Sequence, residues 1–222
     1  MEKNNKTKIS NKILLLGDLS VGKTSIILMY TKKKINTKHI TTIGLDYATK
    51  EEKLKDGTII TLQIWDTAGL ERFHSITKKL YKTSNGLLLI YDITSLNSFK
   101  KINIWLEQIK NENNENIQII LVGNKKDLEN KREVSYSDGE KLAKSYGIDF
   151  YEVSALNNDG IDKIFHKIAV LLSGINNNYR DSIILDRKSH QSRNKELNKN
   201  DCCLFKKKKN EKNEISNNKD KI

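Results

Sequence analysis

The 222-residue chain contains no proline and only two cysteines, and 7% of its residues are aromatic. Without proline, turns must rely on Gly, Asn, Asp and Ser. Cys202 and Cys203 are adjacent, which disfavours a disulfide between them. Because neither is expected in the core or in a disulfide, the cysteine content predicts a reducing, cytoplasmic setting. No apolar run is long enough to span a membrane. The first residues lack the apolar core of a signal peptide, and Glu2 stands where N-myristoylation needs glycine, so we expect neither feature.

Charge and polar residues are concentrated towards the ends of the chain. The net charge is +12, and residues 175–222, with 13 basic and 7 acidic side chains, contribute +6 of it. Basic and acidic residues are interleaved, and no aromatic-basic platform accompanies them, so we predict no nucleic-acid binding. We predict a basic polar extension (residues 1–11), one monomeric domain (12–174) and a disordered Asn/Lys-rich tail (175–222).

Apolar runs alternate with helical patterns through the predicted domain. The expected strands are Lys12–Leu16, Leu45–Leu54, Thr58–Trp65, Gly86–Tyr91, Ile117–Val122 and Asp149–Val153. The expected helices are Gly22–Tyr30, Phe73–Tyr81, Ser98–Asn111, Tyr136–Tyr146 and Ile161–Leu172. Unbroken apolar strands are typical of a parallel sheet covered on both faces, and Asp56-Gly57 predicts one hairpin. The expected fold is α/β, a mostly parallel six-stranded sheet with one antiparallel edge strand and helices on both faces, in which Trp105 belongs to the core.

The segment Gly17-Asp18-Leu19-Ser20-Val21-Gly22-Lys23-Thr24 fits the phosphate-binding pattern G-x-x-x-x-G-K-[ST]. It lies between an apolar strand and an apolar helix, the context that the pattern requires. Glycines let the backbone bend around phosphate oxygens, and the amide groups of the helix N-terminus point at the anion. Lys23 is expected to reach the outer phosphates, and the Thr24 hydroxyl to hold Mg²⁺.

Three further segments follow predicted strands. One is Trp65-Asp66-Thr67-Ala68-Gly69. Asp66 can hold Mg²⁺ through a water molecule, and the Gly69 N–H can bind a terminal phosphate. The carboxylate in Asn124-Lys125-Lys126-Asp127 can accept hydrogen bonds from N1–H and the 2-amino group of guanine, which adenine does not offer. The backbone of Ser154-Ala155-Leu156 can approach the guanine oxygen. All four segments come at the carboxyl ends of strands, where open α/β sheets bind ligands.

In combination, these motifs resemble the Ras superfamily of small GTPases and, within it, the Rab family. Rab-like residues are Thr42-Ile43-Gly44-Leu45-Asp46-Tyr47, then residues 62–73 with Trp65-Asp66-Thr67-Ala68-Gly69-Leu70-Glu71-Arg72-Phe73, and Tyr91-Asp92-Ile93-Thr94. The resemblance covers about Lys12 to Leu172 and is somewhat closer to secretory-pathway members. It implies GTP hydrolysis, a GTP/GDP ligand with Mg²⁺, and exchange-factor, GTPase-activating and effector partners in vesicle traffic at the cytosolic face of intracellular membranes.

The resemblance also implies roles for individual residues. The residues that would bind phosphates are Gly17, Ser20, Val21, Gly22, Lys23, Thr24 and Ser25. The residues that would take part in catalysis are Lys23, Thr42 and Gly69. Thr24, Thr42 and Asp66 would hold Mg²⁺, and Asn124, Lys125, Asp127, Ser154, Ala155 and Leu156 would hold guanine. Thr42 would belong to a first switch and residues 69–73 to a second. Ile43, Tyr47, Trp65, Phe73 and Tyr81 would meet effectors, although ordinary core packing is an equal explanation for such apolar residues.

Three substitutions depart from the family pattern. Leu70 stands where the family has the glutamine that orients the attacking water, so slow intrinsic hydrolysis is expected. Leu19 replaces a small residue and either obstructs an incoming arginine or points to solvent. Ile35 replaces an aromatic residue that packs on guanine, which predicts faster nucleotide release.

The C-terminal tail departs as well. Rab proteins usually end in paired cysteines that carry prenyl groups, whereas Cys202-Cys203 is followed by 19 residues. Three alternatives stay open: trimming of the tail, palmitoylation beside Lys206–Lys209, or no lipid. A lipid with the basic cluster would favour an anionic membrane surface.

The sequence thus predicts a Rab-like GTPase with weak intrinsic hydrolysis. A hydrolysis-deficient docking scaffold that stays bound to GTP is the alternative, and Leu70 favours it. An ATP- or nucleic-acid-dependent phosphate-loop protein is a more distant alternative, which Asn124 and Asp127 disfavour.

Overall fold

The structure, a computed structural model, describes residues 10–32, 46–67, 83–111 and 117–174. The strands in these ranges are β1 Ser10–Gly17, β2 Asp46–Lys53, β3 Ile59–Asp66, β4 Gly86–Asp92, β5 Gln118–Asn124 and β6 Asp149–Glu152. The helices are α1 Lys23–Lys32, α2 Leu96–Asn111, a 3-10 helix Lys126–Lys131, α3 Tyr136–Tyr146 and α4, residues 161–174. The predicted helix Phe73–Tyr81, residues 1–9 of the extension and the tail lie outside the described residues.

The strands form one sheet in the order β2-β3-β1-β4-β5-β6. β2 runs antiparallel to β3, and every other neighbouring pair is parallel. The predicted fold class is therefore confirmed. The hairpin between β2 and β3 closes at Asp56-Gly57, where Gly57 has φ 81° and the Asp56 carboxylate accepts the Thr58 N–H at 2.9 Å. A left-handed φ at this position suits glycine, so the Asp-Gly prediction of a turn is also confirmed.

The central strands of the sheet are buried on both faces. Along β1, Ile13 and Leu15 join one hydrophobic core while Leu14 and Leu16 join the other, because successive side chains of a strand point to opposite faces. All seven residues of β4 are buried. This double burial explains why the apolar runs do not alternate with polar residues.

Helices cover each face with one apolar stripe. α1 and α4 pack on the first face, and the buried residues of α4 are Ile161, Ile164, Phe165, Ile168, Ala169 and Leu172. α2 covers the second face, where Trp105 is 5% exposed, which confirms its expected place in the core. In the part of the chain that the structure describes, no helix is both long and apolar enough to cross a membrane.

The connection from β5 to α3 contains an element that the periodicity did not predict. The 3-10 helix Lys126–Lys131 has no buried residue, so it carries no apolar stripe to detect. α3 begins where predicted because the Ser135 hydroxyl caps it, accepting the Asp138 N–H at 3.1 Å. It ends at Gly147, which has φ 66°.

Parallel pairing brings the carboxyl ends of five strands to one edge. Leu15 of β1 pairs with Asp66 of β3, Asp92 of β4 pairs with Asn124, and Gly123 pairs with Glu152 of β6. The loops that leave these strands therefore meet along one line, which is the expected place for a ligand site.

The first core provides a test of packing. Tyr30 and Phe165 are inaccessible to solvent and stack with ring centroids 3.8 Å apart. We expect Phe165→Ala to lower the free energy of unfolding by about 3–5 kcal/mol, because it removes the stack and leaves a cavity. Urea unfolding at constant buffer composition measures this change.

Tyr30→Phe is the matched control. It keeps the ring and removes only the hydroxyl, which donates to Glu52 Oε1 at 2.5 Å. Burial and the Glu52 carboxylate both raise the pKa of Tyr30, so this hydroxyl keeps its proton. Its loss should cost about 1 kcal/mol. An equal loss of stability in the two variants would contradict the packing argument.

Candidate functional site

The loop between β1 and α1, residues 17–23, is called the phosphate loop here after its sequence pattern, and two glycines shape it. A Cβ on Gly17 would lie 2.2 Å from the Ile90 carbonyl oxygen, and one on Gly22 would lie 2.3 Å from Asn124 Nδ2. Gly22 also has φ 98°, and Ser20 has φ 59°. Left-handed residues in such a loop turn backbone N–H groups inward, which creates an anion-binding concavity. The loop thus has the backbone form that phosphate binding needs.

Lys23 is the first residue of α1, and it is 6% exposed. Its ammonium donates to the carbonyl oxygens of Gly17 and Asp18 at 2.7 and 2.9 Å. Both acceptors belong to the loop itself. The positive charge is therefore held at the loop, beside the N-terminus of the helix, where an anion is favoured.

Thr24 and Asp66 bring two oxygen ligands together. The Thr24 hydroxyl donates to Asp66 Oδ2 at 2.5 Å, which joins the start of α1 to the end of β3. Among the described residues, no group of three or more His, Cys, Asp or Glu side chains could hold a metal ion. A hydroxyl and one carboxylate nevertheless suit Mg²⁺, which binds one or two protein oxygens together with phosphates and water.

Asn124, at the end of β5, joins three loops through one buried side chain. Its Nδ2 donates to the Val21 carbonyl at 2.8 Å, and its Oδ1 accepts the Ala155 N–H at 3.1 Å. It is 1% exposed. The phosphate loop and the loops after β5 and β6 are therefore tied together at a single amide group.

A second link joins the loops after β5 and β6. The Ser154 hydroxyl donates to Asp127 Oδ1 at 2.5 Å and accepts the Asn157 N–H at 3.1 Å. Ser154 and Asp159 pair through both backbone N–H groups, which closes the loop that carries Ala155. The Asp127 carboxylate is thus oriented by the same loop that the sequence predicts to approach the base.

Lys125 has a left-handed backbone, with φ 69° and ψ 34°. Its ammonium lies 2.6 Å from Asp92 Oδ2 at the end of β4, while Asp92 Oδ1 accepts the N–H and the hydroxyl of Thr94. Asp92 had no assigned role in the sequence prediction. Its place at a strand end, among the other site residues, was the signal that could have identified it.

Asp18 and Leu19 form the outer part of the phosphate loop. Lys101 of α2 donates to Asp18 Oδ2 at 2.6 Å, a contact that the sequence prediction missed. Burial opposes ionisation of Asp18, but hydrogen bonds from Lys101 and the Leu19 N–H, with the charges of Lys101 and Lys23, hold its pKa below the ordinary value. Leu19 is 40% exposed.

Tyr47 and Trp65 form an aromatic surface on β2 and β3. Their rings stack with centroids 5.0 Å apart, Tyr47 is 56% exposed, and the Lys12 ammonium lies 4.6 Å from the Trp65 ring centroid. The indole N–H of Trp65 has no hydrogen-bond partner among the described residues. Tyr47 is the exposed member of the pair, whereas Trp65 is half-buried and packs against the hydrophobic core on the second face. An exposed aromatic side chain such as Tyr47 is typical of a protein-binding surface.

The structure brings most of the predicted nucleotide-site residues to one edge of the sheet. These are Gly17, Ser20, Val21, Gly22, Lys23, Thr24, Ser25, Asp66, Asn124, Lys125, Asp127, Ser154, Ala155 and Leu156. Several predicted residues lie outside the described residues, namely Ile35, Thr42, Ile43, Gly69, Leu70, Phe73, Tyr81, Cys202 and Cys203. Their assigned roles stay predictions.

Comparisons with known proteins agree with the motifs. The model of the Ras family matches residues 12–173, well over half of the chain. The chain is 46% identical over 158 residues to Ras-related protein Rab-10 of Diplobatis ommata, covering 71% of this chain and 78% of the relative. It is 42% identical over 161 residues to human Ras-related protein Rab-15 and to Ras-related protein SEC4 of Candida albicans (strain WO-1), in each case covering 72% of this chain and 76% of the relative.

The matched region contains the whole sheet from β1 to β6 apart from the first two residues of β1. It includes the phosphate loop and the loops that Asn124 ties together. The motifs, the sheet order and these relatives agree, and the chain belongs to the Rab small GTPases of the Ras family.

Proposed function

We propose that the chain is a GTP/GDP switch that binds guanine nucleotide with Mg²⁺ and recruits effectors in vesicle traffic. The observation that best supports this proposal is the Asn124 side chain, which ties the phosphate loop to both loops predicted to hold the base. A ligand that carries phosphates at one end and a base at the other would contact all three loops. A guanine nucleotide is such a ligand.

Phosphate binding would rest on groups that are already in position. The N-terminus of α1 and the Lys23 ammonium both favour negative charge, and the Gly17 and Asp18 carbonyls hold the ammonium at the loop. Charge that develops on the phosphates during hydrolysis would meet these groups without reorganisation. Such preorganised electrostatic stabilisation is a large part of phosphoryl-transfer catalysis.

Thr24 and Asp66 would hold Mg²⁺, with Thr42 as a further ligand when the first switch is ordered. The oxygen pair at Thr24 and Asp66 fits the hard ligands that this ion prefers. When bound, the ion neutralises charge on the β- and γ-phosphate oxygens.

The base would be selected by Asp127. Its carboxylate can accept from N1–H and the 2-amino group of guanine, and the Ser154 hydroxyl fixes its orientation. Adenine presents no matching pair of donors, so it would leave the carboxylate unsatisfied. Guanine nucleotides should therefore bind in preference to adenine nucleotides.

Hydrolysis would be an in-line attack of water on the γ-phosphorus. A new P–O bond forms, the bond to the β–γ bridging oxygen breaks, and the water proton is released, giving GDP and phosphate. The Leu70 side chain has no donor or acceptor to orient this water, so we propose that intrinsic hydrolysis is weak. A GTPase-activating protein that supplies its own glutamine would restore the reaction.

The aromatic surface formed by Tyr47 and Trp65 would contact effectors. The large exposed fraction of Tyr47 supports this role over core packing for that residue, whereas Trp65 also packs against the hydrophobic core on the second face. Ile43, Phe73 and Tyr81 would extend the surface, and the two switches would change it when GTP replaces GDP.

A docking scaffold that stays bound to GTP is the second candidate function, and Leu70 is the feature that favours it. Chromatography of the nucleotide bound to the purified protein separates the two functions. Mostly GDP would support an active cycle, whereas mostly GTP would support the scaffold.

Asp127→Asn tests the base site. We expect GDP affinity to fall at least about 100-fold, because the amide cannot accept both donors of guanine. Xanthosine diphosphate should gain affinity, because its C2 carbonyl can accept from the amide. Competition against fluorescent GDP measures both changes.

Asp159→Asn is the control for this test. It makes the same chemical change at an exposed carboxylate, whose side chain is 54% exposed and pairs with Lys126. GDP affinity should stay within about twofold, since exposed pairs contribute little. A wild-type protein that binds ADP as well as GDP would contradict the proposed guanine specificity.

Leu70→Gln tests the hydrolysis prediction. We expect single-turnover GTP hydrolysis to accelerate by roughly 10- to 100-fold, because the amide can orient the attacking water. Leu70→Met, which keeps an apolar side chain of similar size, should leave the rate unchanged. Equal rates in the wild type and Leu70→Gln would show that this position does not limit hydrolysis.

Mass spectrometry of the native C-terminus tests membrane attachment. We propose that Cys202 or Cys203 carries a lipid and that Lys206–Lys209 adds attraction to an anionic surface. The membrane fraction should then contain a chain with a hydrocarbon adduct on one of these cysteines, either full-length or trimmed. Unmodified full-length chain in that fraction would argue against a lipid anchor.

A further inference from the structure

Arg132 directly follows the 3-10 helix Lys126–Lys131, whose second residue is Asp127. Its guanidinium makes two contacts with each of two carboxylates. Nη1 and Nη2 donate to the two oxygens of Glu152 at 2.7 and 2.8 Å, and Nε and Nη2 donate to those of Glu129 at 2.8 and 2.6 Å. Nη1 also donates to the Val134 carbonyl at 2.8 Å. These five hydrogen bonds use all five donors of the group.

The two carboxylates lie in different surroundings. The Glu152 side chain is 5% exposed, whereas that of Glu129 is 66% exposed. The hydrogen bonds to Glu152 and Glu129 raise the pKa of Arg132, so the guanidinium is charged at every relevant pH. A buried carboxylate without a partner is strongly unfavourable, while an exposed one is solvated by water. Glu152 is therefore the contact that matters for the structure.

The Arg132–Glu152 pair spans the two loops of the predicted base site. Arg132 comes five residues after Asp127, and Glu152 ends β6, two residues before Ser154. The same loops meet again where the Ser154 hydroxyl contacts Asp127 and where the Lys126 N–H donates to the Val153 carbonyl at 3.1 Å. The guanidinium fork fixes both distance and angle between the loops, which a single hydrogen bond does not.

We propose that Arg132 is a positioning residue for guanine recognition: by holding Glu152 in a bidentate contact, it keeps Asp127 and the Ser154–Ala155 backbone at the spacing that the base requires. It touches no nucleotide itself and acts through these residues. This inference rests on the proposed guanine-nucleotide function. It adds a residue that affects base specificity through its contact with Glu152 and not through contact with the base.

The test compares dissociation of fluorescent GDP from the wild type, Arg132→Gln and Arg132→Lys in the presence of Mg²⁺. We expect Arg132→Gln to raise the dissociation rate at least about 10-fold, since it leaves Glu152 buried without its charged partner. Arg132→Lys should give a smaller increase, because an ammonium restores the charge but not the planar fork. The preference for GDP over inosine diphosphate, which lacks the 2-amino group, should fall with Arg132→Gln.

Lys126→Gln is the matched control. Lys126 also joins the two loops, through an ion pair with Asp159 at 2.8 Å, but both side chains are about half exposed. Its removal should change the dissociation rate by less than about twofold. Glu129→Gln, which removes only the exposed partner of Arg132, should have a similarly small effect.

The double variant Arg132→Gln/Glu152→Gln separates positioning from stability. It removes both charges, so no carboxylate is buried unpaired, and it should melt closer to the wild type than Arg132→Gln does. Fast GDP release that persists in the double variant would support positioning by the bidentate contact. A double variant that releases GDP like the wild type would overturn the proposal. If Arg132→Gln does not fold, the double variant takes its place in the GDP dissociation measurement.

Two results would overturn different claims. If Arg132→Gln has a lower melting temperature but an unchanged GDP dissociation rate and an unchanged preference over inosine diphosphate, Arg132 has only a structural role. If the wild type fails to bind fluorescent GDP, the proposed guanine-nucleotide function itself is wrong.

Discussion

The buried amide of Asn124 is the contact on which the candidate site depends. One side chain offers a donor to the phosphate loop and an acceptor to the loop after β6, so three segments that are distant in sequence share one fixed point. Removing it would leave a buried carbonyl and a buried N–H without partners. The close approach of Gly22, where any Cβ would collide with this amide, is the steric counterpart of the same contact.

The sheet makes this fixed point rigid. Asn124 ends a strand whose neighbours on both sides are parallel and whose last five residues are buried, so its backbone is held by ladder hydrogen bonds and by two cores. The loops can vary in sequence while the strand ends stay in register. Side chains at these ends, including Asp66, Asp92 and Glu152, are therefore placed by the sheet more than by their own loops.

The sequence was sufficient for features that depend on local patterns. The apolar runs of β4 and β5 predicted burial on both faces, Asp56-Gly57 predicted the hairpin, and the motifs at strand ends predicted that their residues lie at one edge of the sheet. The 3-10 helix after Lys125 escaped prediction because none of its residues is buried, which leaves no periodic signal. The ion pair between Arg132 and Glu152 was not predicted for another reason. The two residues are 20 positions apart, and their contact depends on the register of β5 with β6.

The contacts of Lys23 have a consequence for how a ligand enters. Backbone carbonyls of Gly17 and Asp18 already replace part of the water shell of the ammonium, so much of its desolvation has occurred during folding. A phosphate that binds here would replace these carbonyls as the acceptor for the ammonium, and it would not have to displace a full shell of water. In the absence of an anion, the carbonyl oxygens of Gly17 and Asp18 therefore accept the hydrogen bonds that the Lys23 ammonium would otherwise donate to phosphate.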